Sequence, residues 1–374
     1  RPWRHRRGSH ERTALTQKND LNELGPTDLG PTDLGLKDLG WSADLLRQLD
    51  IDEIGRLVPA RITAVHRDRL VALAEAGPMT LTLPPGMSAG DVAVGDWVVH
   101  EPGETRVARV LERRSLLHRK AAGHMAYDQL IAANVDTLFI TTSMNADFNI
   151  ARLERYVALA HSGDVAPVII LTKADLCDDP DPYTDALRAA LPRVPVVALD
   201  ARHPEAAQAL ADWCGPGQTV AFVGSSGVGK STLASALTGD EIATQDIRED
   251  DAKGRHTTTT REFHRLAGGG WVIDTPGMRE LQLTGASEGI DEVFADIVEL
   301  ATTCRFNDCA HETEPGCAVK AAIEAGALDA GRLARWQKLK REDAHNAESL
   351  AEAHARNRKF GKMIKTFVRD HHKR

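Results

Sequence analysis

Cysteine is scarce in this chain, at five in 374 residues. Two of the five, Cys177 and Cys214, stand isolated, a pattern that speaks against a disulfide framework and for a reducing compartment. Long apolar runs are missing as well. None approaches the roughly twenty residues that a helix needs to cross a bilayer, and no hydrophobic signal core follows the basic start, so a cytoplasmic protein without membrane contact is expected. Arg1 rather than Met opens the chain, which leaves its natural start open. Positive charge is in deficit, with 46 Lys+Arg against 54 Asp+Glu and a net charge of −8. That balance excludes a protein that coats nucleic acid without specificity. The deficit is uneven, however. Residues 331–374 hold 13 Lys+Arg against 5 Asp+Glu, a local +8 that leaves the remainder near −16. A basic tail on an acidic body can dock one end on a polyanion.

What is present is an ordinary soluble composition, 42 % hydrophobic and 5 % aromatic, in a length sufficient for two or three domains. Residues 1 to about 39 are polar and punctuated by glycine, with a five-residue echo from Leu24 to Gly40 that suits neither helix nor strand. They read as part of a flexible extension over residues 1–50. From residue 51 to 114 the pattern becomes five short β-like runs, Leu57–His66, Arg69–Glu75, Met79–Leu83, Asp96–His100 and Thr105–Leu111, separated by Gly/Pro turns. Such spacing fits a small barrel of the oligonucleotide-binding (OB) type, with an SH3-like barrel as its rival. Arg61, Arg67 and Arg69 are candidates to face phosphates there, against the plainer reading of solvated surface. Ser115–Lys120 reads as a basic connector, after which Val135–Ile140, a helix over Ile150–His161 and further alternating strands and helices predict a doubly wound α/β sheet.

The densest chemistry lies in that α/β region. Thr219–Val223 is a short apolar run of the kind that forms a buried parallel strand. It leads into Gly224-Ser225-Ser226-Gly227-Val228-Gly229-Lys230-Ser231, a full match to G-x-x-x-x-G-K-[ST], and Thr232–Leu237 then has helical spacing. Glycines let the loop turn its N–H groups inward, and a helix N-terminus adds positive potential toward a bound phosphate. Lys230 would reach the β- and γ-phosphates and the Ser231 hydroxyl would ligate Mg²⁺. Downstream, Gly270–Gly277 reads as a strand ending in Asp-x-x-Gly, where Asp274 would hold Mg²⁺ through water and the Gly277 N–H would meet the γ-phosphate. Between them Gly254–Thr260 has the composition of a loop that orders around the ion, with Thr258 the expected second Mg²⁺ ligand. The position after Gly277 is Met278, whose apolar side chain cannot polarise water. Water orientation therefore falls to His256 or to a partner's group.

A second apolar run, Val168–Leu171, ends in Thr172-Lys173-Ala174-Asp175. A carboxylate at Asp175 can accept both N1–H and N2–H₂ of guanine, a donor pair that adenine lacks, while the Lys173 stem lies over the base. Thr172 stands where Asn is usual. Val194–Ala201 occupies the place of the segment that closes over the base, although Ala198-Leu199-Asp200-Ala201 departs from the usual Ser-Ala pair. The base reader thus precedes the phosphate loop, the reverse of the ordinary order, so the core reads as a circularly permuted GTPase. Cys304, Cys309, His311 and Cys317 follow within fourteen residues and supply three thiolates and one imidazole. Four soft ligands with the Pro315-Gly316 turn between them point to one closed, structural, tetrahedral Zn²⁺ site. Beyond it, Val319–Ala325 and Ala330–Arg356 read as helices. Arg356–Arg374 reads as a basic amphipathic segment that contacts RNA or docks on its own domain.

Together these motifs resemble the RsgA (YjeQ) family of ribosome small-subunit-dependent GTPases, over residues 55 to 367. Val94-Gly95-Asp96-Trp97-Val98 in the barrel and Ala132-Ala133-Asn134-Val135-Asp136 at core entry strengthen the resemblance. It implies an α/β, circularly permuted P-loop GTPase domain (residues 115–285) flanked by an N-terminal OB-fold barrel (51–114) and a C-terminal zinc-binding helical domain (286–374). It further implies late maturation of the small ribosomal subunit, rRNA contacts from the flanking domains, and GTP hydrolysis to GDP stimulated by that subunit; a monomer is expected. Two rivals are an ATPase or small-molecule kinase, disfavoured by Asp175, and a zinc-bearing RNA-binding regulator with an inactive nucleotide fold, disfavoured by the complete Lys230, Ser231 and Asp274 set.

Overall fold

The computed structural model describes residues 34–120, 128–203, 205–239, 262–274 and 285–348. Its first element is α1, Ala43–Leu46, capped by Ser42, whose hydroxyl accepts from the Leu45 N–H. Residues 34–49, placed by the sequence reading inside a flexible extension, are packed instead. Leu34, Leu39 and Leu45 are buried, Trp41 meets Trp97 edge to face at 5.0 Å, and the Trp271 indole N–H donates to Asp38 O at 2.8 Å. Leu34 and Leu39 of the echo thus belong to a strap, because tight turns bury them without helical or strand periodicity.

Five strands follow: β1 Val58–Val65, β2 Leu70–Ala74, β3 Gly77–Leu81, β4 Trp97–His100 and β5 Val107–Val110. Their order is β3-β2-β1-β4-β5, antiparallel throughout. Thr82 N–H donates to Thr105 O at 2.7 Å and Val107 N–H to Thr82 O at 3.0 Å. Those bonds join the two edges and close the sheet as an OB-type barrel, which removes the unpaired edges an open sheet would expose. Alternate residues Ala60 and Ile62 on β1 and Leu70 and Ala72 on β2 fill its interior with Leu81 and Val98.

Ser115–Lys120 is not a free connector. Strand β6, Leu116–Lys120, pairs antiparallel with β7, Asp128–Ala133. Next come β8 Thr137–Ser143, α2 Ile150–Ser162, β9 Ala166–Thr172, α3 Asp181–Ala190, β10 Val196–Ala198, α4 Glu205–Ala209, β11 Thr219–Val223, α5 Lys230–Thr238, β12 Glu262–Arg265 and β13 Trp271–Asp274. They build a sheet of order β10-β9-β8-β11-β13-β12, parallel except for the β12–β13 pair. Every residue of β8 is buried, as a central parallel strand covered on both faces requires. The C-terminal region adds α6 Ser287–Val293, α7 Ala295–Ala301, α8 Ala318–Glu324 and a helix over residues 330–348, here α9. The basic segment 356–374 and the extension 1–33 lie outside the described residues.

The two motifs at the barrel and at core entry turn out to touch. Ala133 N–H donates to Val94 O at 2.8 Å and the Asn134 amide to Gly95 O at 3.0 Å. The buried Asp96 carboxylate takes both forks of Arg113, at 2.7 and 2.8 Å, and Asp136 accepts the Thr219 N–H at 2.8 Å, tying β11 to the joint. Gly95 adopts φ +91°, and a Cβ there would fall 2.1 Å from Ala133 O. Neither backbone can give way, so Gly95→Ala is expected to lower stability by more than about 2 kcal/mol in a thermal or urea melt. An unchanged melt would show that the barrel does not seat on β7 through this turn.

Arg61, a candidate for phosphate contact, is instead 1 % exposed. Its guanidinium donates to Leu39 O at 2.6 Å and Asn134 O at 3.0 Å, and lies 4.9 Å from the ring centre of Phe263. Burial without a carboxylate partner pushes its pKa down to about 10. The strap, the barrel and the sheet edge meet on this one cation.

On the opposite flank, α6 packs against α2 so closely that a Cβ on Gly289 would lie 2.1 Å from Ala158 O. Glu154 of α2, fully buried, receives Arg332 at 3.2 Å and Arg335 at 2.7 Å from α9. Arg332 also bonds Asp296, Val293 O and Ala190 O. Desolvation pushes the Glu154 pKa up while the two arginines pull it back, and an unpaired charge there would cost about 3–5 kcal/mol.

Candidate functional site

The phosphate loop sits where a doubly wound sheet places its ligands, beyond the carboxyl ends of β8, β9 and β11. Gly224 leaves β11 at φ +146°, and a Cβ on it would lie 2.1 Å from Thr141 O. Gly227 and Gly229 take φ +73° and +97°, and Lys230 begins α5 directly. The loop therefore wraps the first turn of α5, whose N-terminal N–H groups and dipole favour an anion. Lys230 Nζ donates to Gly224 O at 2.8 Å and Ser225 O at 2.6 Å, which stations the ammonium across the loop. Ser231 and Thr232 occupy that same first turn.

β9 delivers the base-reading segment beside it. Thr172 is fully buried, its Oγ1 2.6 Å from Val228 O and 3.1 Å from Thr142 O. The hydroxyl has one hydrogen, and the shorter contact bonds the base reader to the phosphate loop itself. Thr172 thus performs a bridging task despite standing in place of Asn. Lys173 adopts the left-handed φ of +59°, and Ala174–Leu176 form a 3₁₀ turn that carries Asp175. Parallel to β9 runs β10, and Leu199 N–H donates to Leu171 O at 2.9 Å. That pairing brings Ala201 to the phosphate loop, where a Cβ built on Gly229 would lie 3.6 Å from Ala201 Cβ and 3.8 Å from Thr172 Cγ2. Three stretches distant in sequence converge there. Asp200 of the base-closing segment and Arg202, which the sequence reading did not name, form an ion-pair cluster with Asp175.

β13 lies parallel to β11 with Ala221 opposite Ile273, so Asp274 ends the strand next to the one that feeds Gly224. His256, Thr258 and the rest of Gly254–Thr260, together with Gly277 and Met278, lie outside the described residues.

The four soft ligands do come together. Their donor atoms all lie within 4.8 Å of one another, the one such group among the described residues. Cys304 Sγ is 3.9 Å from Cys317 Sγ and 3.7 Å from His311 Nδ1, which is 3.4 Å from Cys317 Sγ. Tetrahedral arms of about 2.3 Å to sulfur and 2.0–2.1 Å to nitrogen give edges of about 3.5–3.8 Å, so the donor set fits Zn²⁺. Local structure aims these ligands. His311 takes φ +62° beside the Trp336 ring at 5.7 Å, and the Glu314 carboxylate accepts N–H groups of Ala310, Glu312 and Thr313 at 2.9–3.0 Å. The backbone N–H of Glu314 itself, followed by those bonds, holds the Glu314 pKa down to about 2. Cys317 also caps α8.

Comparison with known proteins gives a consistent result. Residues 110–284 match the family described as RsgA GTPase. A Mesorhizobium japonicum protein named small ribosomal subunit biogenesis GTPase RsgA is 56 % identical over 310 residues, covering 82 % of this chain and 89 % of the relative. Small ribosomal subunit biogenesis GTPase RsgA 2 of Vibrio parahaemolyticus is 49 % identical over 363 residues, 97 % of this chain and 96 % of its own. Among solved structures, YjeQ from Thermotoga maritima superposes with a TM-score of 0.57 at 23 % identity, over 76 % of this chain and 97 % of its own. YloQ, titled a circularly permuted GTPase, gives 0.55 at 23 % identity, over 77 % of this chain and 96 % of its own. At that identity the two structures speak to the fold alone. On the identity and coverage of its relatives, this chain belongs to the RsgA GTPase family.

Proposed function

We propose that this protein binds GTP at the junction of the phosphate loop and the Thr172–Asp175 segment. On this reading it hydrolyses GTP to GDP and phosphate, and uses the cycle in biogenesis of the small ribosomal subunit. The observation that carries this reading is the bond from Thr172 Oγ1 to Val228 O, which joins base reader and phosphate loop although the chain visits them in reversed order. In this reading Asp175 accepts the guanine N1–H and N2–H₂, the Gly224–Ser231 amides and Lys230 bind the phosphates, and Ser231, Asp274 and Thr258 hold Mg²⁺. When bound there, Mg²⁺ would supply positive charge against that developing on the β- and γ-phosphates. His256 or a group of the subunit orients water.

The barrel over residues 51–114 and the zinc-bearing helices over 286–374 supply rRNA contacts on either side of the GTPase core, residues 115–285, in a monomeric, cytoplasmic protein. Because Asp274–Gly277 leads within 27 residues to Cys304, γ-phosphate contacts can bias the C-terminal region, which favours a clamp closed on rRNA in the GTP state.

Two measurements test the proposal. In competition titrations GTP and GDP should displace a labelled guanine nucleotide, with ATP at least about a hundredfold weaker, since adenine offers the Asp175 carboxylate neither an N1–H nor a 2-amino donor to accept. Small subunits should accelerate phosphate release, and they should bind the protein more tightly with a non-hydrolysable GTP analogue than with GDP. ATP competing equally would sink the nucleotide assignment. Equal affinity for subunits in both nucleotide states would remove the clamp.

A further inference from the structure

We propose that Arg202 is a positioning residue for base recognition, holding the Asp175 carboxylate in the orientation that reads guanine. The inference rests on the reading of Asp175 as the guanine acceptor. Its evidence is a chain of hydrogen bonds that leaves few alternatives for the donors involved. Asp200 Oδ1 accepts the backbone N–H of Arg202 at 3.0 Å and its Nε at 3.1 Å. Arg202 Nη2 carries two hydrogens and has two acceptors: Asp200 Oδ2 at 3.1 Å and Asp175 Oδ2 at 2.5 Å. The guanidinium is therefore pinned on Asp200 by its own backbone and fork, and it reaches Asp175 with the one hydrogen left on Nη2.

Asp175 needs such a hold. It rides on a three-residue 3₁₀ turn beside the exposed Leu176, its side chain is 28 % exposed, and among the described residues Arg202 is the one group that bonds its carboxylate. An ionised carboxylate has about four lone-pair sites. Arg202 occupies one, on Oδ2, so both oxygens keep capacity for N1–H and N2–H₂. The contact orients the reader without filling it. It also gives a physical role to the end of Ala198–Ala201, where this chain departs from the usual Ser-Ala pair, and to the residue after it: Ala201 packs on the phosphate loop while Asp200 and Arg202 fix Asp175.

The test compares GDP with IDP, which lacks the 2-amino group and so forfeits one of the two contacts to Asp175. Arg202→Ala is expected to weaken GDP about fivefold and IDP by less than about twofold, the scale of one exposed charged contact. The GDP-over-IDP preference therefore narrows, and Arg202→Lys, which keeps the charge but not the fork, falls between. A purely structural role would weaken both nucleotides equally and leave the preference unchanged, which would overturn the proposal. Tighter GDP binding in Arg202→Ala would overturn it too, by making Arg202 a competitor of the base. Asp175→Asn in parallel separates this idea from its premise. A shift toward XDP with an unchanged preference in Arg202→Ala leaves Asp175 as reader and removes Arg202. No shift in Asp175→Asn removes the premise and the inference with it.

Discussion

Lys230→Ala is expected to reduce subunit-stimulated GTP turnover by about 10²–10³-fold, the range for removing one preorganised donor from a developing charge. The reason is geometric. Nζ is held across the loop by Gly224 O and Ser225 O, so on the proposed reading the ammonium is already stationed at the phosphates and would cost little reorganisation when GTP binds. No other cation is contributed by Gly224–Ser231 to replace it. Single-turnover phosphate release at saturating subunits measures the loss, and a circular dichroism melt checks that the loop still folds. Turnover within threefold of the parent would mean that Lys230 does not meet the phosphates.

An equally large effect is expected on the other side of the core. Cys317→Ser should abolish stoichiometric zinc, seen by elemental analysis, and should open the region around α7–α9 to limited proteolysis. Structural zinc contributes on the order of 10–16 kcal/mol of apparent binding free energy in small metal-folded units. Here its loss would loosen the loop beside Trp336, although a serine in place of Cys317 could still cap α8. Arg332 and Arg335 fasten the same region to Glu154, so the damage should spread to the α2 face of the nucleotide core. Cys177→Ser, remote from the cluster, should keep full zinc and serves as control. Retained zinc in Cys317→Ser would discard the site. Lost zinc with an unaltered digestion pattern would make the ion dispensable for folding.

Much of the candidate site was legible because its chemistry is local. The phosphate loop is one continuous stretch whose glycines, lysine and serine each serve a short-range requirement, and the zinc ligands lie within fourteen residues. Short β-like runs between Gly/Pro turns likewise located the barrel strands to within a few residues, since such turns interrupt the extended chain locally. Other features resisted. Arg61 looked like a surface cation because a lone arginine in a strand carries no local sign of burial; only the strap's Leu39 O, Asn134 O and the Phe263 ring make its interior position tolerable. Ser115–Lys120 looked like a linker because its β partner, β7, could not be inferred from its own pattern.

By itself the sequence determined the GTPase family, the reversed motif order, a donor set that fits zinc and the barrel–core–helix succession, since each depends on residue type and on spacing along a few turns of chain. Tertiary structure alone decided that Leu34–Leu49 is packed, that Thr172 bonds the phosphate loop, and that Arg202 joins Asp200 to Asp175. Those outcomes hinge on which distant backbones come within hydrogen-bond reach. Loop closure and packing set that, and no residue announces it in advance.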